Sequence, residues 1–176
     1  LWQQEPPDVT SEQVMAALRQ MVLVLAQVPD LSAYVSYLKL LPTAMQHCLL
    51  ALHDLPCTLA AEEESVYPNL VEWLAGRADP AVLQKFLAVS AGFSDQTRCQ
   101  SAQWLMKYWL WEDAMALYQS ISADSSAVDG TFWKNVGICL FHEQEKAAAA
   151  ECFDRAREAG LQDSEMESYG KWCQED

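Results

Sequence analysis

The chain has 176 residues, of which 51% are hydrophobic, and its formal net charge is −14 at pH 7. Its eleven basic residues are scattered without a run of three, whereas phosphate backbones and anionic lipids attract clusters of Lys and Arg, so nucleic acid and membrane surfaces are unfavourable partners. Only six glycines are present, and most of the seven prolines lie between periodic segments, which predicts an all-α fold.

The first half of the chain is predicted to contain a leader and several helices. Residues 1–9 are expected to form a loose leader, and Thr10 or Ser11 can cap a helix that runs to about Gln27. This helix contains Val, Leu, Met and Ala, but Arg19 and two glutamines interrupt it, so it is neither a membrane span nor an export signal. Further helices are predicted over Asp30 or Ser32 to Leu40, Pro42 to Asp54, Cys57 to Glu64, Val66 to Ala75, and Asp79 or Pro80 to Ala91.

The second half is predicted to contain five helices, over 95–108, 111–122, 130–143, 146–159 and 164–173. The last of these has the composition of a capping helix. Its apolar side chains, Met166, Tyr169, Trp172 and Cys173, can cover the apolar edge of the preceding helices while its charged residues face water.

One stretch has a spacing of large and small residues that resembles the tetratricopeptide repeat, a helix-turn-helix unit. The residues that carry the resemblance are Trp133, Val136, Gly137, Leu140, Ala149, Phe153 and Ala156. Gly137 and Ala149 allow two antiparallel helices to approach closely, and the large residues fill the space on either side. The sequence departs from the family pattern at Gln144, where the turn usually has glycine, and at Leu161, where proline is usual.

A second, weaker copy lies 35 residues upstream. It matches at Ala102, Leu105, Ala114, Tyr118 and Ile121, and departs at Arg98 and Ser101, where the family prefers large apolar residues. The resemblance covers about residues 95–161 and implies a short right-handed solenoid of helical hairpins. We therefore expect a leader over 1–9, an N-terminal helical region over 10–93, and two repeats with a capping helix over 94–176, with 10–176 forming one continuous unit.

The resemblance also implies where a partner would bind, because the first helix of each repeat lines a concave groove that holds a peptide or helix. Carried over by position, the predicted partner-binding residues are Gln103, Met106, Lys107, Lys134, Asn135, Ile138, Phe141 and His142, with Gln96, Cys99, Gln100 and Thr131 beside them. Lysines could hold a carboxylate, amides could bond peptide backbone, and apolar side chains could accept apolar partners. Alternatively, N-terminal helices of the same chain fill this groove.

The carboxylate clamp by which some members of the family hold chaperone termini is incomplete in this sequence. Lys134 matches one position of the clamp, but Cys99 and Ile138 stand at two others.

No arrangement of residues indicates catalysis, a cofactor or a metal ion. The three histidines, His47, His53 and His142, fall in no metal-ligand pattern, and neither a glycine-rich phosphate loop nor a nucleophile elbow is present. The six cysteines, at positions 48, 57, 99, 139, 152 and 173, lack the close paired spacing of zinc and redox sites. We interpret them as small buried hydrophobes, which favours a reducing cytoplasm.

The sequence thus predicts a non-enzymatic protein-interaction module, such as a scaffold, adaptor or secretion-type chaperone. From Trp111 onward there are fourteen acidic and five basic residues, which indicates either a solubilising surface or a basic partner. The alternative is an accessory domain of a larger enzyme, such as a glycosyltransferase. The first residue is Leu1, and we expect the sequence to begin where a longer protein was cut or cleaved.

Overall fold

The computed structural model describes residues 11–34, 41, 45–46, 49–50, 53, 67–76 and 80–175. Within these ranges the regular elements are α-helices and 3₁₀ turns, residues 45–46 and 49–50 are helical as well, and no strand occurs. The α-helices are α1 (Ser11–Ala26), α2 (Tyr67–Ala75), α3 (Pro80–Val89), α4 (Asp95–Lys107), α5 (Trp111–Gln119), α6 (Gly130–His142), α7 (Lys146–Glu158) and α8 (Ser164–Trp172). Two 3₁₀ turns lie at Leu31–Tyr34 and Ser90–Gly92.

The all-α prediction is confirmed for this part of the chain, and the predicted helix ends agree with the observed ends to within three residues for α1 to α8. The predicted leader, most of the two helices over 30–54, and the helix over 57–64 lie outside the described residues. None of the described helices is long and apolar enough to cross a membrane.

The chain divides into two compact units, Leu1–Ala60 and Ala61–Asp176. In the first unit, α1 buries Val22 and Leu25, while Met45 and Leu49 are completely buried. His53 hydrogen-bonds through Nε2 to the Leu25 carbonyl oxygen at 2.9 Å, which ties residue 53 to the end of α1. That residues 10–176 form one continuous structural unit stays a prediction.

In the second unit, neighbouring helices from α4 to α8 pack against one another in chain order, and α2 packs against α4. Tyr67, Phe86 and Phe93 form an aromatic core at the start of this unit, with Tyr67 stacked on Phe86 at 5.4 Å. A second core, nearer the C-terminus, contains Ile138, Phe153 and Met166.

Side-chain caps define the first residues of α4, α6 and α8. Ser94 accepts a hydrogen bond from the Thr97 amide at 3.3 Å, Asp129 from the Phe132 amide at 2.8 Å, and Asp163 from the Met166 amide at 2.9 Å. Each cap satisfies one of the free amides at a helix start.

The turns that precede α5, α7 and α8 contain the same type of backbone hydrogen bond. The amides of Leu110, Glu145 and Leu161 donate to carbonyl oxygens five residues earlier, at 3.1, 2.9 and 3.0 Å. Such turns place one residue in the left-handed region, as in a Schellman motif. Here those residues are Trp109 (φ 60°), Gln144 (φ 69°) and Gly160 (φ 86°).

The small residues that the sequence placed at the helix crossings lie at close contacts. An ideal Cβ added to Gly137 would lie 2.5 Å from the Phe153 ring, and Ala149 and Ala156 are completely buried. Ala102 and Ala114, their counterparts in the preceding helix pair, are completely buried as well. Only very small side chains allow helices to approach this closely.

We predict that Gly137→Ala lowers the free energy of unfolding of the full chain by about 1 to 3 kcal/mol, because the added methyl group would displace the buried Phe153 ring. Urea denaturation measures this change. Gly92→Ala is the matched control, since its Cβ would meet nothing within 4 Å, and it should change stability by less than about 0.5 kcal/mol. A neutral or stabilising Gly137→Ala would contradict the close crossing.

We predict that Gln144→Gly raises the free energy of unfolding by about 0.5 to 1 kcal/mol, because it removes the steric cost of a left-handed non-glycine residue. Its neighbour Glu143 has φ −80° and is already in an allowed region. Glu143→Gly should therefore destabilise the protein. Thermal denaturation of both variants distinguishes relief of strain from a general effect of glycine in this turn.

Candidate partner-binding face

Helix α4 presents a row of polar side chains to solvent. Gln96, Gln100, Gln103 and Lys107 follow one another at intervals of four, three and four residues, which places them on one side of the helix. All four are exposed, whereas Leu105 on the other side is completely buried. We call these four residues the α4 stripe. Two of them, Gln103 and Lys107, belong to the predicted partner-binding set.

Lys107, at the C-terminal end of the stripe, is held by neighbouring side chains. Its Nζ lies 2.8 Å from a carboxylate oxygen of Glu72 in α2 and 4.7 Å from the centre of the Trp104 ring. The hydrogen bond to Glu72 raises the pKa of Lys107, so the ammonium group stays charged at neutral pH. Since Glu72 already balances this charge, a partner carboxylate would have to compete for it.

Lys134 of α6 is occupied by carboxylates of the same chain. Its Nζ lies 2.9 Å from Asp163 and 2.8 Å from Glu165, both at the start of α8. Burial alone would lower the pKa of Lys134, but the hydrogen bonds to Glu165 and Asp163 raise it overall. Only 14% of the Lys134 side chain is exposed, so the lysine that matches the carboxylate clamp serves to hold α8 in place.

Aromatic rings from α5, α6 and α8 meet beside this ion pair. His142 stacks on Trp111 with ring centres 4.0 Å apart and planes 3° apart, and its Nε2 lies 3.1 Å from the Tyr169 hydroxyl oxygen. Phe141 packs edge-on against Tyr169 at 5.1 Å and contacts Trp172. Burial lowers the pKa of His142, so its ring is neutral at pH 7.

The remaining predicted residues, Met106, Asn135 and Ile138, face the interior. Asn135 and Ile138 are 8% and 4% exposed, and Met106 is partly buried. The Tyr118 hydroxyl donates to Met106 Sδ at 3.6 Å and also bonds the Asn135 side chain, which links α4, α5 and α6. Burial raises the pKa of Tyr118, so this hydroxyl stays protonated and available as a donor.

The structure therefore leaves two of the eight predicted residues exposed and the other six at least partly buried. Gln103 and Lys107 of α4 lie in the exposed stripe, whereas Lys134, Phe141 and His142 of α6 are covered by α8 and its neighbours. The helix that covers α6 is α8, which lies C-terminal to it, whereas the alternative drawn from the sequence had N-terminal helices fill the groove. A role of the eight predicted residues in partner binding stays a prediction.

Two tryptophans at the start of α5 lie in different environments. Trp111, the first residue of α5, packs against His142, whereas Trp109, in the turn before it, is 78% exposed and has a left-handed backbone. From the sequence, the run Trp109-Leu110-Trp111 is interpreted as packing rather than as a ligand site, and the exposure of Trp109 departs from that interpretation.

The cysteines in the described residues have no catalytic environment. Cys99, Cys139 and Cys152 are buried free thiols, and burial, with smaller contributions from nearby acids, raises the pKa of Cys99 to about 11 and that of Cys139 to about 12. Such thiols are poor nucleophiles at neutral pH. Among the same residues, no group of three His, Cys, Asp or Glu side chains is arranged to hold a metal ion.

Comparison with known proteins gives no family assignment. No protein-family model matches the chain, and no curated protein and no solved structure is significantly similar to it.

We predict that the two roles of Asp163 can be separated by substitution. One carboxylate oxygen caps α8 and the other pairs with Lys134, so Asp163→Asn removes the charge but keeps a capping oxygen, whereas Asp163→Ala removes both. Asp163→Ala should be less stable than Asp163→Asn by about 1 kcal/mol in urea denaturation at pH 7. Equal stabilities would contradict the capping role.

The ion-pair contribution of Asp163 should depend on pH. The hydrogen bond from Lys134 lowers the pKa of Asp163 below its ordinary value of 3.8, so the stabilisation is present above that value and is lost as pH falls through the lowered one. We expect wild type to be more stable than Asp163→Asn from pH 7 to pH 5, and the difference to shrink below pH 4. A constant difference down to pH 2 would contradict this account.

Proposed function

We propose that residues 95–173 are two tetratricopeptide-like hairpins followed by a capping helix, and that the chain is a non-enzymatic module that binds a partner polypeptide along the α4 stripe. The 35-residue offset seen in the sequence supports this, because it also relates the backbone of the two turns. Trp109 and Gln144 have φ values of 60° and 69°. The next residues, Leu110 and Glu145, have φ, ψ values of −87°, 67° and −88°, 56°.

The buried residues repeat with the same offset. Ala114 and Ala149 are completely buried, Tyr118 and Phe153 are 2% and 0% exposed, and Ala102 and Gly137 are both buried. Leu105 is completely buried, whereas its counterpart Leu140 is only partly buried. Two hairpins with the same turn and the same core positions are what a stacked helical repeat requires. A right-handed solenoid with a capping helix is the architecture that accommodates both.

The observation that carries the proposed binding face is a contrast between equivalent helices. Gln100 and Gln103 of α4 correspond to Asn135 and Ile138 of α6 at the 35-residue offset. The pair on α6 is buried and lies on a helix packed by α8, whereas the pair on α4 is exposed. The first hairpin thus leaves this side of α4 exposed, whereas the second hairpin packs the corresponding side of α6 within the protein.

The chemistry of the α4 stripe suits the backbone of an extended peptide. A glutamine amide offers both donors and acceptors, as peptide groups do. Gln96 and Gln100 are four residues apart and rise about 6 Å along the helix, close to the roughly 6.6 Å between alternate residues of an extended chain, so these two glutamines can meet peptide groups on the same side of it. Gln103 follows about 4.5 Å further along the helix. This recognition requires no particular charge on the partner, and a scaffold, adaptor or chaperone could each use it.

Site-specific photocrosslinking tests the proposed face. Benzoylphenylalanine would be placed at Gln100 or Gln103 in the full chain and irradiated in extract from its native cells. We expect a discrete protein adduct, identified by mass spectrometry, that excess unlabelled wild-type chain competes away. Gln103→Ala in the competitor should reduce that competition, because it removes an amide that bonds the partner backbone.

The control position is Glu151, an exposed residue of α7 that lies outside the stripe. It should give no competed adduct. Lys134→Glu is not a clean probe of binding, because it would also break the contacts that hold α8. Adducts of equal yield from Gln103 and Glu151, or the absence of a competed adduct at both stripe positions, would refute the proposed face.

A further inference from the structure

A cavity of about 200 Å³ lies between α5, α6 and the segment that connects them, away from the α4 stripe. Helix α5 contributes Met115 and Tyr118, the connection contributes Val128, and α6 contributes Phe132 and Trp133. Its floor is buried, since Met115, Tyr118 and Phe132 are less than 10% exposed. The packed helices around it therefore form a preshaped hollow.

Three aromatic rings give this cavity a defined wall. Phe132 packs edge-on against Tyr118 at 5.3 Å with planes 90° apart, and edge-on against Trp133 at 5.3 Å with planes 87° apart. The Tyr118 hydroxyl is already used in the contacts with Met106 and Asn135, so Tyr118 offers its ring to the cavity. Perpendicular rings present both faces and edges, which are the surfaces that a further aromatic ring packs against.

The lining selects for an uncharged occupant. None of the described residues that line the cavity is charged, and its polar groups are those of Gln119, which is exposed, the Tyr118 hydroxyl and the Trp133 indole N–H. Burial of an unpaired ionic group against such a wall would be costly. For scale, an apolar cavity of about 150 Å³ in another protein binds benzene. A volume of about 200 Å³ therefore suits one ring or two fused rings.

We propose that this cavity is a binding site for an uncharged, flat aromatic small molecule of one or two fused rings. The proposal is independent of partner binding along α4, because the cavity shares no lining residue with the α4 stripe.

Methyl NMR of the full chain, labelled at its six methionines, tests this site with indole as the probe. Met115 lines the cavity, whereas Met166 is completely buried in a different core and reports non-specific effects. We expect the Met115 methyl signal to shift saturably with indole while Met166 does not move. 1-Hexanol, a linear molecule, should bind at least tenfold more weakly.

A variant that fills the cavity provides the second arm. Val128→Trp places a large side chain at the lining, and we expect it to weaken indole binding at least tenfold. Val24→Trp makes the same change at a position of α1 that is 64% exposed, and it should bind indole as wild type does. An unchanged Met166 signal in Val128→Trp verifies that the second unit stays folded.

Three results would overturn the proposal. They are equal shifts of Met115 and Met166, no saturable shift of Met115, and indole binding that Val128→Trp leaves unchanged. If 1-hexanol bound as tightly as indole, the site would not select a flat ring. If only an added polypeptide moved Met115, the cavity would be a protein contact and not a small-molecule site.

Discussion

The C-terminal half of the protein depends on the close approach of α6 and α7 at Gly137. Because Gly137 has no side chain, the Phe153 ring occupies the space beside it and is completely buried. Burial of a phenylalanine of this kind contributes about 2 to 3 kcal/mol. The same core receives Met166 from α8, so the position of Phe153 also determines where α8 packs. A larger residue at 137 would thus disturb α8 by displacing the Phe153 ring.

The docking of α8 explains why two hairpins with similar backbones present different surfaces. Three kinds of contact hold it: Met166 in the core, the ion pairs of Lys134, and the aromatic cluster around Tyr169. These contacts cover one side of α6, while the equivalent side of α4 is exposed. The residue types differ accordingly, since Ile138 is buried in one helix and Gln103 is exposed in the other.

Local signals in the sequence were sufficient to predict the helices and the small residues at their crossings. Helix periodicity depends on neighbouring residues, so it can be seen without a structure. The surface could not be predicted in the same way, because coverage by α8 is a tertiary effect. Arg98 is an example: the tetratricopeptide pattern expects a large apolar residue at this position, yet the Arg98 guanidinium donates to the Ser120 carbonyl oxygen at 2.7 Å and satisfies the end of α5. At the position 35 residues later, Trp133 packs under Arg155 at 4.6 Å, so there the cation lies on the other helix of the pair.

The net charge and the α4 stripe would act on a partner at different distances. The charge of −14 creates a field that reaches about one Debye length, roughly 8 Å at physiological salt, and it favours encounter with basic proteins over acidic ones. At contact, the glutamines of the stripe carry no charge, and Glu72 compensates the one cation, Lys107. On the proposed function, charge would therefore select which polypeptides approach, while hydrogen bonds from the amides would hold the backbone of the one that binds. Such a division lets an acidic module bind partners of varied sequence, because the contacts that persist after encounter do not depend on the partner's side chains.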